Sequence, residues 1–468
     1  MDTNPAGLKA RVHELARSYH RVAHQRKAFE PGKTRIAYSG HTYDHREIDN
    51  AIDAVLDFQI TAGQYADRFR SEMVRFFDCA DFLLVNSGSS ANLLMVSTLC
   101  SSQLGKHFKP DELPALQPGD EVIAPAVTFP TTLTPLVQNR LVPVFVDCDI
   151  GTYNVNPELI EEAIGPLTRA MFIPHTLGNP CDMDVIGDVA RRNYLWVLED
   201  SSDALGATFN GQFVGTFGAM ASLSFDPAHL IAMGEGGGVI VNHPGLRRTA
   251  RSLNEWGRDC WCDPGKSNTC GERFGWQLAD MGCAYDHKYV YSNIGYSLRV
   301  TDVQAAIGLA QLDKFEESLT ARRRNFWELY KGLKELEDYL ILPTVDSRAN
   351  PSPFGFPVTV REGIDRGALI RHLEAANIET RLVFGGNILR QPAFANIPRR
   401  FPGSLHQSDL IMRDTLLVGV YPGLTNAMLD YVVEAFKQFF RQRRPSQLAL
   451  HSPEQRGRDL DKPEAPGP

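Results

Sequence analysis

Six short apolar segments recur between residues 121 and 241, with helix-like stretches between them. They are Glu121–Ala124, Val142–Val146, Ala170–Ile173, Leu195–Leu198, Ala221–Phe225 and Gly238–Val241. A strand that is apolar throughout, rather than at every second position, has both faces covered, and intervening helices supply the covers. The chain is therefore expected to be an α/β protein built on a large, mainly parallel sheet.

Around that sheet the sequence divides into four parts. Residues 1–60 read as a helical lead-in, with helical stretches at 8–30 and about 45–59 flanking a polar loop, Ser39–Asp44. Residues 61–325 form the large unit, and 257–290 is a cysteine-bearing insertion within it. A helical stretch over 303–340 leads into a smaller α+β unit at 326–440, where Phe354–Val360 reads as a strand. Thr425 can cap a helix whose Leu429, Val432, Val433, Phe436 and Phe440 share one face. Residues 441–468 turn basic, then rich in Pro, Gly and Glu, and are expected to be a disordered tail.

Composition excludes several classes. The 468 residues suffice for a large core and a second domain, and 43% hydrophobic with 22% charged residues is the balance of a globular protein. A net charge of −8 argues against general nucleic-acid binding. No apolar run approaches the ~20 residues a bilayer-spanning helix needs, and the polar N-terminus lacks a signal-peptide core. A cytoplasmic location is the expectation.

Several residues stand where chemistry could be done. Asn86-Ser-Gly-Ser-Ser-Ala-Asn92 follows an apolar strand and opens a helix over Ala91–Leu99. Small residues at such a helix start let backbone N–H groups approach a phosphate. Asp200 ends the strand Leu198-Glu-Asp, where ligands of parallel sheets collect, although a carboxylate there also reads as a helix cap. Phe129, taken by itself, reads as a core aromatic. His229, taken by itself, would be a structural histidine.

The cysteines fall into two groups. Cys79, Cys100, Cys148, Cys181 and Cys283 are scattered and read as ordinary small residues, most of them buried. Cys260, Cys262 and Cys270 crowd a polar loop with Pro and Gly, a pattern that suits iron–sulfur or zinc ligation better than packing.

The stretch Ser222-Leu-Ser-Phe-Asp-Pro-Ala-His-Leu-Ile-Ala-Met-Gly-Glu-Gly-Gly237 resembles the cofactor segment of the DegT-type sugar aminotransferases, with His229 where the lysine belongs. Lysine holds pyridoxal phosphate covalently and exchanges it for a substrate amine; histidine can only take or give a proton. With the cysteine loop and Tyr285-Asp-His-Lys-Tyr289, the chain is similar to the 3-dehydrases of deoxysugar biosynthesis, which share this histidine. Over about residues 36–440 the resemblance implies a fold-type I aminotransferase-like architecture and a homodimer with active sites at the subunit interface. It implies that Gly88, Ser89, Ser90 and Ser224 hold the phosphate of pyridoxamine or pyridoxal phosphate. Phe129 would stack on the pyridine, Asp200 would pair with its nitrogen, and His229 would be the base. Phe384 matches the dehydrase pattern as well.

The implied reaction is C3 dehydration of a nucleotide-linked 4-keto-6-deoxyhexose, with a reductase feeding electrons through a [2Fe–2S] cluster. In the cluster-bearing relatives four cysteines are spaced Cys-x57-Cys-x-Cys-x7-Cys. Here the first position falls on Ser202, so Ser202, Asp203 or Cys181 are the candidates to complete Cys260, Cys262 and Cys270. Asp226 is a second departure, standing where those dehydrases carry tyrosine. The alternatives are a cluster-free dehydrase that regenerates its cofactor from glutamate, and a cofactor-binding pseudoenzyme acting as a partner subunit.

Overall fold

A computed structural model describes residues 4–25, 28–40, 42–58, 60–104, 113–260, 268–278 and 282–441. Of the expected tail at 441–468, Arg441 instead ends the last helix and 442–468 lie outside the described residues, as does Cys262.

The lead-in supplies two helices, α1 (Pro5–Ala23) and α2 (His45–Leu56). The large unit that follows is organised by a seven-stranded sheet. Its strands are β1 (Asp81–Val85), β2 (Glu121–Pro125), β3 (Val142–Val146), β4 (Thr168–Pro174), β5 (Trp196–Asp200), β6 (Met220–Ser224) and β7 (Gly237–Val241). They lie in the order β1-β7-β6-β5-β4-β2-β3. Strands β6, β5, β4, β2 and β3 are mutually parallel, whereas β7 runs antiparallel to both β6 and β1. The mainly parallel sheet expected from the sequence is thus present, with one reversed strand. That reversal goes with a connection that carries no crossover helix. The segment between Ser224 and Gly237 holds no helix, and a parallel return needs a crossover of a dozen or more residues, usually helical.

Helices cover both faces. α3 (Gln64–Phe77) packs Phe69, Met73 and Phe77 against Phe82, Leu223 and Ile240. α4 (Gly88–Leu99) and α5 (Pro130–Gln138) belong with all seven strands in one apolar cluster that includes Leu94, Leu133, Phe145, Phe172 and Leu198. α6 (Met183–Arg192) packs Met183, Ile186 and Val189 against Ile123, Val144 and Ile173. α7 (Arg247–Asn254) adds Ala250 and Leu253 to the cluster of α4. Because the side chains of a strand alternate across the sheet, Ile123 serves one cluster while Val122 and Ala124 serve the other.

The 303–340 stretch is two helices, α8 (Asp302–Leu312) and α9 (Phe315–Leu333), and α9 runs unbroken through the expected boundary at 325–326. The smaller unit has a four-stranded antiparallel sheet formed by Leu340–Ile341, Gly355–Val360, Thr415–Gly419 and Thr380–Arg381. Its helices are α10 (Arg366–Ala375), α11 (His406–Asp414) and α12 (Asn426–Arg441). The last of these is the expected one, and it buries Leu429, Val432, Phe436 and Phe440 as their spacing requires. Ile36, from the lead-in, is buried in the small unit's core. Among the described residues no helix is long and apolar enough to cross a membrane.

Candidate active site

The carboxyl ends of β4, β5 and β6 open into a cavity of about 380 Å³, a size suited to a cofactor with part of a substrate. Gly88, Ser89, Phe129, Asp200, Ser202, Ser224 and His229 all line it. Asp203, Asp226, Tyr38, Phe354, Arg381 and Phe384 line it too.

One end is the start of α4. Ser87 is the N-cap, and its hydroxyl accepts the Ser90 backbone N–H at 3.0 Å while donating to the Ser90 hydroxyl. Ser90 is thereby tied into the cap, and Gly88 and Ser89 are the helix-start residues on the cavity wall. A Cβ on Gly88 would stand 2.6 Å from the Ser224 Cβ, and one on Gly237 would stand 2.3 Å from the Ser87 carbonyl carbon. Only glycine permits this approach, which brings the N-terminus of α4 against the ends of β6 and β7. The helix dipole and its N–H groups favour negative charge at that corner.

Asp200 is held rigidly. Its Oδ2 accepts hydrogen bonds from Asn92 Nδ2 at 2.9 Å and Thr132 Oγ1 at 2.8 Å. Its Oδ1 accepts from the Ser202 hydroxyl at 2.6 Å, the Ser202 N–H at 3.2 Å and the Ser222 hydroxyl at 3.1 Å. Sequence reasoning misses Asn92, Thr132 and Ser222 as supports, because nothing in one chain links them to residue 200. Phe129 caps α5, is half exposed, and meets Phe384 edge to face at 6.2 Å.

His229 sits on a turn with a plain sequence cause. Asp at the first position and Pro at the second favour a type I turn, and the His229 N–H donates to the Asp226 carbonyl at 3.1 Å. The Asp226 carboxylate also accepts the Ala228 N–H at 2.8 Å. This brings Asp226 Oδ1 to 2.9 Å from His229 Nδ1, while Asp203 Oδ1 lies 3.4 Å from Nε2. The imidazole therefore stands between two carboxylates. Burial alone would lower its pKa, but the hydrogen bonds to Asp203 and Asp226 outweigh burial and raise it to about 9. Burial also raises the Asp203 carboxyl, partly offset by His229. Asp203 and His229 side chains are 11% and 13% exposed, whereas Asp226 is 47% exposed and is the solvent-facing member.

The cysteine candidates are not gathered with this site. Cys260 lines a separate cavity of about 100 Å³ with Arg70, Arg251 and Arg299. Cys270 Sγ is 3.4 Å from Nε2 of the buried His287, whose Nδ1 is 3.1 Å from the Asp259 carbonyl. Ser202 faces Asp200 in the larger cavity, whose lining includes no cysteine. Cys181 is buried, donates its S–H to the Pro174 carbonyl at 3.3 Å, and has its thiol pKa pushed well up by burial. Among the described residues no group of three metal-ligating side chains is close enough to hold an ion.

Residues 42–437 match the DegT/DnrJ/EryC1/StrS aminotransferase family. The chain belongs to that family. RfbH of Salmonella typhimurium, a lipopolysaccharide biosynthesis protein, is 45% identical over 92% of this chain and 98% of its own. The dTDP-4-dehydro-2,6-dideoxy-D-glucose 3-dehydratase of Saccharopolyspora spinosa is 47% identical over 92% of each. Among solved structures, the Escherichia coli GDP-4-keto-6-deoxy-D-mannose-3-dehydratase with bound hydrated pyridoxal phosphate superposes with a TM-score of 0.76, at 28% identity over 86% of this chain and 99% of that one. The fold is the pyridoxal-phosphate-dependent aminotransferase fold, and the resemblance to the 3-dehydrases holds.

Proposed function

We propose that the protein is a pyridoxamine-phosphate-dependent dehydratase that removes the C3 hydroxyl of a nucleotide-linked 4-keto-6-deoxyhexose. The observation that carries the reading is His229, which stands at the lysine position inside the cavity, with a proton-exchanging side chain and no amine to hold the cofactor. The cavity fits the group: the close Gly88–Ser224 approach puts the α4 helix start on the cavity wall, and the buried Thr176 hydroxyl on that wall has no hydrogen-bond partner among the described residues.

When bound, pyridoxamine phosphate supplies an amine for the sugar ketone and a ring that accepts electrons. Gly88, Ser89 and Ser224 would take its phosphate at the α4 N-terminus, with Ser90 bracing the cap. Phe129 would cover one ring face, and Asp200, fixed by its five donors, would face the ring nitrogen. His229 takes the proton whose loss drives departure of the C3 hydroxyl. The raised imidazole pKa means that His229 must first yield a proton, and Asp226 is the carboxylate on its solvent side.

The iron–sulfur relay expected from the cysteine loop does not fit Ser202 as its fourth ligand, because that hydroxyl is engaged by Asp200. A cluster relaying electrons from a reductase would thus need a fourth ligand other than Ser202 beside Cys260, Cys262 and Cys270. The placement of Ser202 favours a second reading, the cluster-free dehydratase whose cofactor is re-aminated by glutamate. Incubating the protein with pyridoxamine phosphate and a panel of nucleotide-linked 4-keto-6-deoxyhexoses, with and without a reductase, tests both. A 3-deoxy-4-keto product formed over many turnovers without reductase, with pyridoxamine phosphate limiting and glutamate supplied as the amine and electron donor, supports the second. Absence of any C3 dehydration across the panel refutes both.

A further inference from the structure

Part of the lead-in runs beside the edge of the small unit that borders the cavity. The Ile36 N–H donates to the Asn377 carbonyl at 2.8 Å, and the Glu379 N–H donates to the Ile36 carbonyl at 2.9 Å. This pairing gathers Arg35, Tyr38, Glu379 and Arg381. The Glu379 carboxylate, 11% exposed, accepts from Arg381, accepts the Tyr38 N–H at 3.2 Å and pairs with Arg35 at 3.2 Å. Arg381 also donates to the Thr380 carbonyl at 2.8 Å, and its guanidinium lies over the Tyr38 ring, 4.2 Å from the centroid. Two guanidinium groups on one carboxylate leave one unit of positive charge. The contacts at its edge and on its face fix the Arg381 plane, yet the side chain stays 46% exposed and lines the cavity together with Tyr38.

That charge contrasts with the rest of the wall. Among the described residues lining the cavity, Arg381 is the one arginine or lysine, set against Asp200, Asp203, Asp226 and Glu235. His229 is cationic at neutral pH, but it stands between Asp203 and Asp226, which balance it. A nucleotide-linked sugar would bring a diphosphate into this cavity beside the phosphate of the cofactor. Two anions need two electropositive places. The α4 helix start is one of them, and the Arg381 fork, whose parallel N–H groups match phosphate oxygens, is the other.

We propose that Arg381, braced by Tyr38 and Glu379, binds the diphosphate of the nucleotide-linked substrate. The inference rests on the nucleotide-sugar reading above and adds the residue that grips the nucleotide. Arg35 and Tyr38 precede residue 42, where the family match begins, so the lead-in supplies part of the brace. Three residues after Arg381 the same segment carries Phe384 to Phe129. One short stretch thus sets both the anion subsite and the aromatic contact beside the expected cofactor ring.

The test is calorimetric binding of dTDP, GDP and the matching nucleosides to the protein loaded with pyridoxamine phosphate. Wild type, Arg381→Gln and Arg381→Lys are compared, with circular dichroism confirming folding. Loss of a charge-assisted phosphate contact should weaken the tighter-bound nucleoside diphosphate by about 10–100-fold in Arg381→Gln. Arg381→Lys, which keeps the charge and loses the fork, should bind with intermediate affinity. Affinity for thymidine, guanosine and pyridoxamine phosphate should not change. Equal nucleoside-diphosphate affinity in wild type and Arg381→Gln, or none in the wild type, would overturn the subsite and leave the dehydratase reading in place. So would an equal loss for nucleosides and their diphosphates, which would assign Arg381 to the base. A wild type that takes up no pyridoxamine phosphate would instead sink the dehydratase reading, and the subsite with it.

Discussion

Replacing Asp226 with asparagine keeps an oxygen to accept the Ala228 N–H and removes the charge beside His229 Nδ1. His229 stands at about 9 against an ordinary 6.5, a gap corresponding to about 3 kcal/mol that favours the charged ring in the fold. Burial opposes that gap, Asp203 is the stronger of its two supports and Asp226 the weaker. Loss of Asp226 should therefore lower the His229 pKa by about one unit, or about 1.4 kcal/mol. Because the folded pKa is raised, this stabilisation is fully present below about 6.5 and is lost as pH rises through about 9. Asp226→Asn should accordingly destabilise the protein at neutral pH, with a penalty that fades above pH about 9. Urea unfolding across pH, with ¹⁵N-histidine resonances assigned through His229→Asn, reads both quantities. At neutral pH the lower pKa also leaves about tenfold more neutral imidazole, so the rising limb of the activity profile should move to lower pH. An unmoved His229 titration, or a stability penalty constant across pH, would refute the account of the carboxylate pair.

Other substitutions probe the base, the cofactor's attachment, the Asp200 support and the core separately. His229→Asn should keep cofactor binding and lose proton exchange at the cofactor's amine-bearing carbon by about 10²–10⁴-fold, measured by isotope washout; near-normal exchange would assign the base elsewhere. Borohydride reduction of the wild type with pyridoxal phosphate should leave no label on the chain, whereas His229→Lys should acquire one. Ser202→Ala removes the 2.6 Å hydrogen bond to Asp200 and should cost about 1–3 kcal/mol of stability with weakened cofactor binding by fluorescence titration, while Ser202→Cys should leave iron content unchanged. Asp81 is fully buried among Arg70, Arg247 and Arg251, so Asp81→Asn should cost about 3 kcal/mol in urea denaturation.

What can be read from the sequence is whatever short-range pattern determines. The sheet strands are mostly apolar because both faces are covered, and their runs stand out in the chain. The turn that presents His229 is written in Asp226-Pro-Ala-His229. The supports of Asp200 are not legible, since Asn92, Thr132 and Ser222 come from three elements that meet only when the sheet closes. The reversal of β7 is hidden for a similar reason: apolar pattern reports burial and is silent on strand direction.

Ser202 shows how a spacing rule can select a position without giving its role. The residue is where the first cysteine of the cluster pattern falls, but it is also two residues past Asp200, at the end of a strand pointing into the cavity. From there its hydroxyl and its N–H both reach Asp200 Oδ1. A thiol is a weaker donor and a larger atom than a hydroxyl, so cysteine could not reproduce the 2.6 Å bond. Serine at this position therefore gives Asp200 a hydrogen bond that a thiol in its place would not. A chain whose residue 202 serves Asp200 gains nothing from a fourth sulfur at that position, which is why its iron content should not respond when one is supplied.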